Sequence, residues 1–339
     1  MKNKIIPILF LFLFFKTPAQ ENDFAVLFYN AENLFDWKDD PHTNDNEFTP
    51  EGDRHWTYKR FQQKMNNTSK ALLGALGWDI PLIIGFCEIE NRQVLEQMIE
   101  KTALHTVSFR IIHKESTDPR GIDVALLYNS EIFYPLQYEY FPFVNADGSI
   151  RQTREILYTS GIVADGDTLH LFINHWPSRY SGLLETRPLR NRAATLLRQK
   201  VDSVFQQQKE AKIIIIGDFN DQPTDASILD YLNTAKPGSN FGSDKLYNLS
   251  TSWMQAGMGT LKYQSQWFIF DQIIVSGALL NAENGLYTEP EWASIFSAGF
   301  LLEDDKIHGG LKPSRTYTGF RYNGGFGDHL PVKLRLRLH

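Results

Sequence analysis

Apolar residues recur along this chain with two periods, which predict interspersed helices and strands. Helical spacing runs through residues 57–76, 91–103 and 185–208. Short apolar or alternating segments typical of strands occupy residues 82–86, 106–113, 123–128, 136–144, 156–163, 168–173, 213–216, 268–275 and 331–338. Residues 280–323 are predicted to be loop-rich, with one short helix near residues 292–296. Many strands with few long helices, in mixed order, indicate one α/β domain built on two sheets.

Several apolar runs end abruptly in polar side chains. These runs are Phe28-Tyr29-Asn30-Ala31-Glu32, Ile84-Gly85-Phe86-Cys87-Glu88, Ile216-Gly217-Asp218-Phe219-Asn220 and the short segment Gly327-Asp328-His329. A buried sheet presents the ends of its strands at one rim, so these carboxylates, carboxamides and imidazole are expected to converge on one site. Their types are those that a divalent-metal phosphoesterase needs.

Glu88 is the strongest metal-ligand candidate, because a carboxylate at the end of an apolar strand is costly to bury without a partner. Glu90 is the weaker alternative, since it precedes a predicted helix and suits the first turn of that helix. Asn30, Glu32 and Asp328 are further oxygen donors for a hard cation, for which we expect Mg²⁺, with Mn²⁺ or Ca²⁺ as alternatives. Cysteine and histidine spacings do not match a zinc motif.

Two histidines, His175 and His329, also end apolar runs. A lone histidine in such a place is more often structural than catalytic. Phosphodiester hydrolysis, however, needs a base for water, charge stabilisation at the phosphoryl oxygens and help for the leaving oxygen, and two imidazoles with a metal can supply these. Asp271, which follows another apolar run, is a carboxylate suited to orient one of them.

In order and over nearly the whole chain, these motifs resemble the endonuclease/exonuclease/phosphatase superfamily, which includes deoxyribonuclease I and neutral sphingomyelinases. The resemblance implies a four-layer α/β/β/α sandwich, with two packed mixed β-sheets flanked by helices. It also implies the following roles: metal ligation by Glu88, Glu32, Asn30 and Asp328, phosphate binding by Asn30, Arg154, His175 and Asn220, and catalysis by His175, Asp218, Asn220, Asp271 and His329, with Asp271 paired to His329.

The sequence departs from the family pattern at two positions. Cys87 stands before the metal glutamate, where glutamine is common. A carboxylate or tyrosine that orients the first histidine is expected near Asp123, which matches that place only to within one residue. Since Cys87 lies inside an apolar run, it is predicted to be a small buried hydrophobe and not a nucleophile.

Residues 1–20 combine early lysines, an apolar run and a small residue near a plausible cleavage point, which is typical of a secretory signal peptide. An uncleaved anchor is the alternative. Residues 21–339 are then predicted to be one domain, secreted or periplasmic. Removing the segment's three lysines from 34 basic residues leaves 31 against 40 acidic ones, a net charge of −9. That balance weakens any case for tight, non-specific nucleic-acid binding.

The sequence therefore predicts a secreted, monomeric, divalent-metal-dependent phosphodiesterase without a stable membrane span. Nucleic acid is the default substrate by family analogy only, so the predicted enzyme is most simply a nuclease. The alternatives are a phosphomonoesterase, a lipid or sugar phosphodiesterase, and an exported binding module that has lost its chemistry. The acidic loop at residues 36–53 is predicted to overhang the site and to influence specificity.

Overall fold

A computed structural model of the protein describes residues 23–145, 147–163, 166–281 and 285–339. The predicted signal peptide at residues 1–20 lies outside the described residues. Within those ranges, no helix is both long enough and apolar enough to cross a membrane.

The described chain contains many strands and few long helices. The first ten strands are β1 (Phe24–Leu34), β2 (Ile80–Ile89), β3 (Phe109–His113), β4 (Asp123–Asn129), β5 (Phe133–Phe141), β6 (Ile156–Val163), β7 (Thr168–His175), β8 (Lys212–Asp218), β9 (Thr234–Ala235) and β10 (Leu246–Asn248). The remaining strands are β11 (Leu261–Tyr263), β12 (Gln266–Phe268), β13 (Asp271–Ser276), β14 (Leu286–Tyr287), β15 (Ala293–Ile295), β16 (Leu302–Asp304), β17 (Leu311–Pro313), β18 (Tyr317–Thr318), β19 (Arg321–Tyr322) and β20 (Val332–Leu338). The α-helices are α1 (Tyr58–Leu76), α2 (Arg92–Lys101), α3 (Leu183–Gln207), α4 (Thr251–Gln255) and α5 (Gly277–Leu280).

Two large mixed sheets form the centre of the molecule. The first has the order β14-β20-β1-β2-β4-β3, with β15 also paired to β20, and the second has the order β5-β6-β7-β8-β13-β10-β9. Each sheet contains one central parallel pair, β1 with β2 and β7 with β8, surrounded mainly by antiparallel neighbours. The small hairpins β11-β12, β16-β17 and β18-β19 lie outside these sheets.

The sheets pack face to face and helices cover their outer faces. At Gly85 the sheets approach so closely that a Cβ atom would lie 3.0 Å from Ile173 Cδ1 of the opposite sheet. Buried residues of α1 and α2 pack on the first sheet, and the apolar face of α3 packs on the second. This arrangement confirms the predicted four-layer α/β/β/α sandwich.

Local capping sets the helix starts that the sequence predicts. Thr57 accepts a hydrogen bond from the Arg60 backbone N–H, and Asn91 accepts one from that of Val94, so α1 and α2 begin one residue after these caps.

Other predicted boundaries of helices and strands are wrong where pairing with a strand distant in sequence sets them. The short helix predicted near residues 292–296 lies earlier, as a 3₁₀ helix at Pro290–Trp292, and residues 293–295 form β15 against β20. β3 begins at residue 109 after a 3₁₀ turn, and the predicted strand at 268–275 is divided between β12 and β13. In each case tertiary contacts override local propensity.

Candidate active site

Both sheets bring polar residues to one edge of the sandwich. The carboxyl ends of the parallel pairs β1-β2 and β7-β8 lie there, and the antiparallel β13 and β20 begin there. The polar residues at this edge are Asn30, Glu88, His175, Asp218, Asp271, Asp328 and His329. The convergence predicted from the strand ends is therefore present.

The backbone is strained where it presents these groups. Four residues here have positive φ angles, in the left-handed region that residues other than glycine rarely adopt. They are Glu32 at +48°, Asn33 at +53°, Glu88 at +61° and Asn220 at +52°. Glu88 lies in a bulge between paired residues of β2, which turns its carboxylate out of the ladder. Each such residue costs about 1–3 kcal/mol, and clusters of them are typical of functional sites.

Asp218 lies between the two histidines. Its Oδ2 atom is 3.8 Å from His175 Nε2 and 3.9 Å from His329 Nε2. Asn30 Nδ2 donates to the same oxygen at 3.1 Å, and the Asn220 backbone N–H donates to Oδ1 at 2.9 Å. Burial, opposed by the charge of His329, raises the pKa of Asp218 to about 7. Asp218 is thus poised to exchange a proton near neutral pH.

The two imidazoles differ in charge. His329 Nδ1 lies 2.6 Å from Asp271 Oδ2, and although burial acts in the opposite direction, the negative charge of Asp271 raises the pKa of His329 well above its usual value. The pKa of His175 is well below its usual value because burial and the charge of Arg154 disfavour the imidazolium. The site therefore pairs a charged imidazolium with a neutral imidazole.

Glu88 and Asp328 fit a divalent cation. Asn30 Nδ2 and the Asn33 backbone N–H donate to the two carboxylate oxygens of Glu88 at 3.3 and 3.0 Å. Burial and the negative charge of Asp328 raise the pKa of Glu88, so a positive ion beside both carboxylates would favour their ionised forms. Asn30 directs its Oδ1 atom to the Glu32 backbone N–H. Oxygen donors of this kind suit Mg²⁺, Mn²⁺ or Ca²⁺.

Glu32 is held by positive groups. Its carboxylate accepts from the Thr316 backbone N–H at 2.7 Å and from Arg315 Nε at 3.2 Å, and Lys64 Nζ is 3.6 Å away. Arg315 also donates to Asp328 Oδ2 at 2.8 Å and so links the two acids. Metal ligation by Glu32 and Asn30 stays a prediction, and Lys64 and Arg315 were not identified from the sequence.

Arg154 is anchored inside the protein. It is 4% exposed, and it donates from Nη1 to Asp118 Oδ2 and from Nη2 to the Trp176 carbonyl, each at 2.9 Å. Asn220 Nδ2 donates to the same carbonyl at 3.1 Å. Arg154 therefore lies next to the His175 loop and the Asn220 turn, and its predicted contact with phosphate stays a prediction.

Asp118 and Arg120 are site residues that sequence reasoning missed. Arg120 makes a two-point contact with Asp118, through Nε at 3.1 Å and Nη2 at 3.2 Å, and its side chain is about half exposed. The charge of Arg120 also acts on Glu88 and His175. The acid and the arginine flank Pro119 in a turn, and this Asp-Pro-Arg-Gly pattern was the available signal.

Replacing Asp118 with asparagine should destabilise the protein by about 3 kcal/mol, since Arg154 would lose its buried charge partner. Burial alone would raise the pKa of Asp118, but its bonds and charge interactions with the two arginines lower it, so the native group is ionised. Urea unfolding measures the change. Asp147→Asn, at an exposed position, is the control. If both variants lose the same free energy of unfolding within error, Asp118 is not the buried charge partner of Arg154.

Glu90 contacts Asp36, in the segment that follows β1. Its carboxyl group accepts a hydrogen bond from the Asp36 backbone N–H, so Glu90 is neither a first-turn helix acid nor positioned with the Glu88 carboxylate. Burial, reinforced by the charge of Asp36, raises the pKa of Glu90 to about 9.

Glu90→Gln should flatten the pH dependence of stability between about pH 4.5 and 9. In that window the folded state holds a proton on Glu90 that the unfolded chain has released, so rising pH destabilises the wild type through this group. The amide cannot ionise and escapes this loss. Melting temperatures across this range test the expectation, and parallel curves for the two proteins would refute it.

Asp123 does not orient His175. Its Oδ2 atom lies 3.0 Å from His113 Nε2, so the expectation taken from the family pattern is wrong. Register explains the error, because Asp123 begins β4 beside β3, which ends at His113. Cys87 is completely buried, and burial raises the pKa of its thiol well above the usual value, as expected for a buried hydrophobe.

The acidic loop at residues 36–53 contacts the turn that carries Asp118 and Arg120. The Asn44 backbone N–H donates to the Pro119 carbonyl at 2.7 Å. A Cβ atom on Gly121 would lie 3.0 Å from Thr43 Oγ1. The loop therefore borders the site through this turn.

Comparison with known families gives a match over almost the whole chain. The model of the endonuclease/exonuclease/phosphatase family matches residues 25–338. A comparison with curated protein sequences finds no match.

Alignments with solved structures of similar fold cover almost all of this chain and almost all of each aligned chain. Humanized D. rerio TDP2 aligns with a TM-score of 0.55 and 14% identity over 93% of this chain and 98% of that one. The human Nocturnin catalytic domain with bound sulfate aligns with a TM-score of 0.54 and 12% identity over 94% and 95%. A family protein from Bacteroides thetaiotaomicron aligns with a TM-score of 0.54 and 14% identity over 94% and 96%.

Proposed function

The chain belongs to the endonuclease/exonuclease/phosphatase family, and from this premise we propose that it is an exported, divalent-metal-dependent phosphodiesterase of the nuclease type. Membership supports phosphoester hydrolysis in general. The observation that carries the proposal is the position of Asp218, whose Oδ2 atom lies less than 4 Å from both His175 Nε2 and His329 Nε2. A proton acceptor between a neutral and a charged imidazole suits water activation beside a phosphoryl group.

Asp218 is the proposed base. It takes a proton from the attacking water, whose oxygen bonds to phosphorus in line with the departing oxygen. As the old P–O bond breaks, the departing oxygen takes the bonding electrons and a proton from solvent. Asn30 and the Asn220 backbone N–H hold its carboxylate in place through their hydrogen bonds. Its pKa of about 7 matches a base that works near neutral pH.

The two histidines have different proposed roles at the phosphoryl group. His329, kept positive and oriented by Asp271, stabilises negative charge that develops on the phosphoryl oxygens. His175 stays neutral, so it can donate one hydrogen bond to a phosphoryl oxygen. Arg154 and Asn220 complete the proposed phosphate cradle, and both are already tied to the Trp176 carbonyl. Preorganised donors of this kind cost little reorganisation during the reaction.

The proposed metal residues are Glu88 and Asp328, with Asn30 and Glu32 as further predicted ligands. A bound Mg²⁺ or Mn²⁺ would add positive charge next to the reacting phosphate. Without it, the contacts of these carboxylates include Arg315 on Asp328 and two neutral donors, the Asn30 amide and the Asn33 backbone N–H, on Glu88.

Short single-stranded nucleic acid is the proposed substrate class. D. rerio TDP2, which aligns with a TM-score of 0.51 and 14% identity, has been crystallised with a single-strand DNA product. Tyr180, in the loop after His175, is almost fully exposed and can stack on a base. The net charge of −9 without residues 1–20 disfavours tight binding to long duplexes, which depends on phosphate neutralisation by basic residues.

A substrate panel at fixed Mg²⁺ tests the proposal. It compares plasmid DNA, short single-stranded DNA and RNA, a lipid phosphodiester, a sugar phosphate and an aryl phosphodiester. We expect cleavage of the single strands and the aryl diester, loss of turnover with EDTA, and recovery with Mg²⁺ or Mn²⁺. Turnover of monoesters or lipid alone would overturn the nuclease assignment, and no turnover on any ester would favour a binding module.

A further inference from the structure

A second group of metal-ligand side chains lies outside the candidate active site. His113, Glu115 and Asp123 each offer one ligand atom within 4.8 Å of the other two. His113 Nε2 is 3.0 Å from Asp123 Oδ2, and His113 Nδ1 is 3.9 Å from Glu115 Oε1. The group joins the end of β3 to the start of β4, its hydrogen-bonded neighbour.

The charges in this group are not balanced. Asp123 is 1% exposed, and within the described ranges its ion pair and that of Glu115 are both with the same imidazole. The nearest lysine in sequence, Lys114, pairs with Glu155 instead. Asp123 also accepts a hydrogen bond from the Ser116 backbone N–H at 2.8 Å, which compensates part of the cost of burying its charge. A cation would supply the rest of that compensation.

One further observation supports a ligand at this place. A cleft of about 420 Å³ opens beside the group, and its walls include Glu115, Asp123 and two more donors, Asp40 and His42. An ion can therefore reach the group from solvent.

We propose that His113, Glu115 and Asp123 bind a divalent transition-metal ion of the Zn²⁺ class, separate from the ion of the active site. An imidazole with two carboxylates is a ligand set that Zn²⁺ takes, whereas Mg²⁺ and Ca²⁺ prefer oxygen ligands alone. Three protein ligands leave one position open toward the cleft. Asp118, the partner of Arg154, lines the same cleft.

Zn²⁺ binding to the full chain tests the site. The background protein carries Glu88→Gln and Asp328→Asn, which weaken the active-site ion, and dialysis is done with millimolar Mg²⁺ present. We expect about one Zn²⁺ per chain, with affinity lowered at least about tenfold by Glu115→Gln and by His113→Gln. His308→Gln, an exposed histidine change, serves as the control and should leave binding unchanged.

Glu115 is exposed, so Glu115→Gln should fold. The Zn²⁺ affinity of this variant therefore tests the site even if His113→Gln does not fold. A rise in melting temperature on adding Zn²⁺, absent in Glu115→Gln, is the second expected result. No Zn²⁺ binding to the background protein, or equal affinity in the Glu115→Gln and control variants, would overturn the proposal. Neither result bears on phosphodiesterase activity, which is measured separately on the wild type.

Discussion

Glu88→Gln is expected to lower phosphodiesterase activity by on the order of a thousandfold while the protein remains folded. The change keeps the shape of the side chain and removes the negative charge that a divalent cation requires. Because burial and Asp328 already disfavour the ionised Glu88, loss of the charge should not itself reduce stability. The amide keeps only one of the two hydrogen bonds that Asn30 and Asn33 donate to Glu88, which lowers stability by about 1 kcal/mol. Initial rates on an aryl phosphodiester at saturating Mg²⁺ measure the loss, and circular dichroism checks the fold.

Glu90→Gln is the matched control for this variant. It makes the same chemical change two residues away, on a carboxyl group that contacts the Asp36 backbone and not the site. Its activity should stay close to that of the wild type. If Glu88→Gln keeps full metal-dependent activity, or if both variants lose activity equally, Glu88 is not the metal ligand.

Asp218→Asn is expected to reduce kcat by about a hundredfold to ten-thousandfold, because an amide cannot take the proton of the attacking water. In the wild type the rate should rise with pH as Asp218 loses its proton around pH 7. The variant should lack that rise, since the titrating group is gone. A pH profile of kcat/KM from 5 to 9 distinguishes this loss from a structural defect, which would lower the whole curve without changing its shape.

The exposed Asp230→Asn is the control for Asp218→Asn and should keep both the rate and the profile of the wild type. His329→Gln adds a second check. Because the proposed role of His329 is electrostatic, this variant should have a lower rate, but its rate should still rise with pH as Asp218 loses its proton. If the rate of Asp218→Asn still rises with pH as in the wild type, the base is another residue.

Much of this site was predictable because strand ends are encoded locally. An apolar run such as residues 213–216 can be buried on both faces only as a central strand, so the polar residues that follow it must emerge at an edge. Asp218 and His175 meet for that reason, at the ends of paired parallel strands. The helix starts at Thr57 and Asn91 were predictable in the same way, since capping uses a residue and its next neighbours.

Apart from the pair of Asp271 and His329, which the family resemblance implied, partner choice among charged groups was not predictable, because it depends on register and on atoms far apart in sequence. Asp123 pairs with His113 across β3 and β4, and Arg154 pairs with Asp118 from another turn. Glu32 meets Arg315, from the other end of the chain.

The order of apolar and polar residues was thus enough to indicate a two-sheet sandwich and a phosphoesterase-like rim, because burial acts on each segment alone. The pairing of Asp271 with His329 was expected from the family resemblance, but only the folded chain decided that Asp123 meets His113, how the bulge turns Glu88 outward, and that a second ligand cluster forms beside the first. Those outcomes depend on distances of a few ångströms between segments, and electrostatic interaction in a buried site changes steeply over such distances.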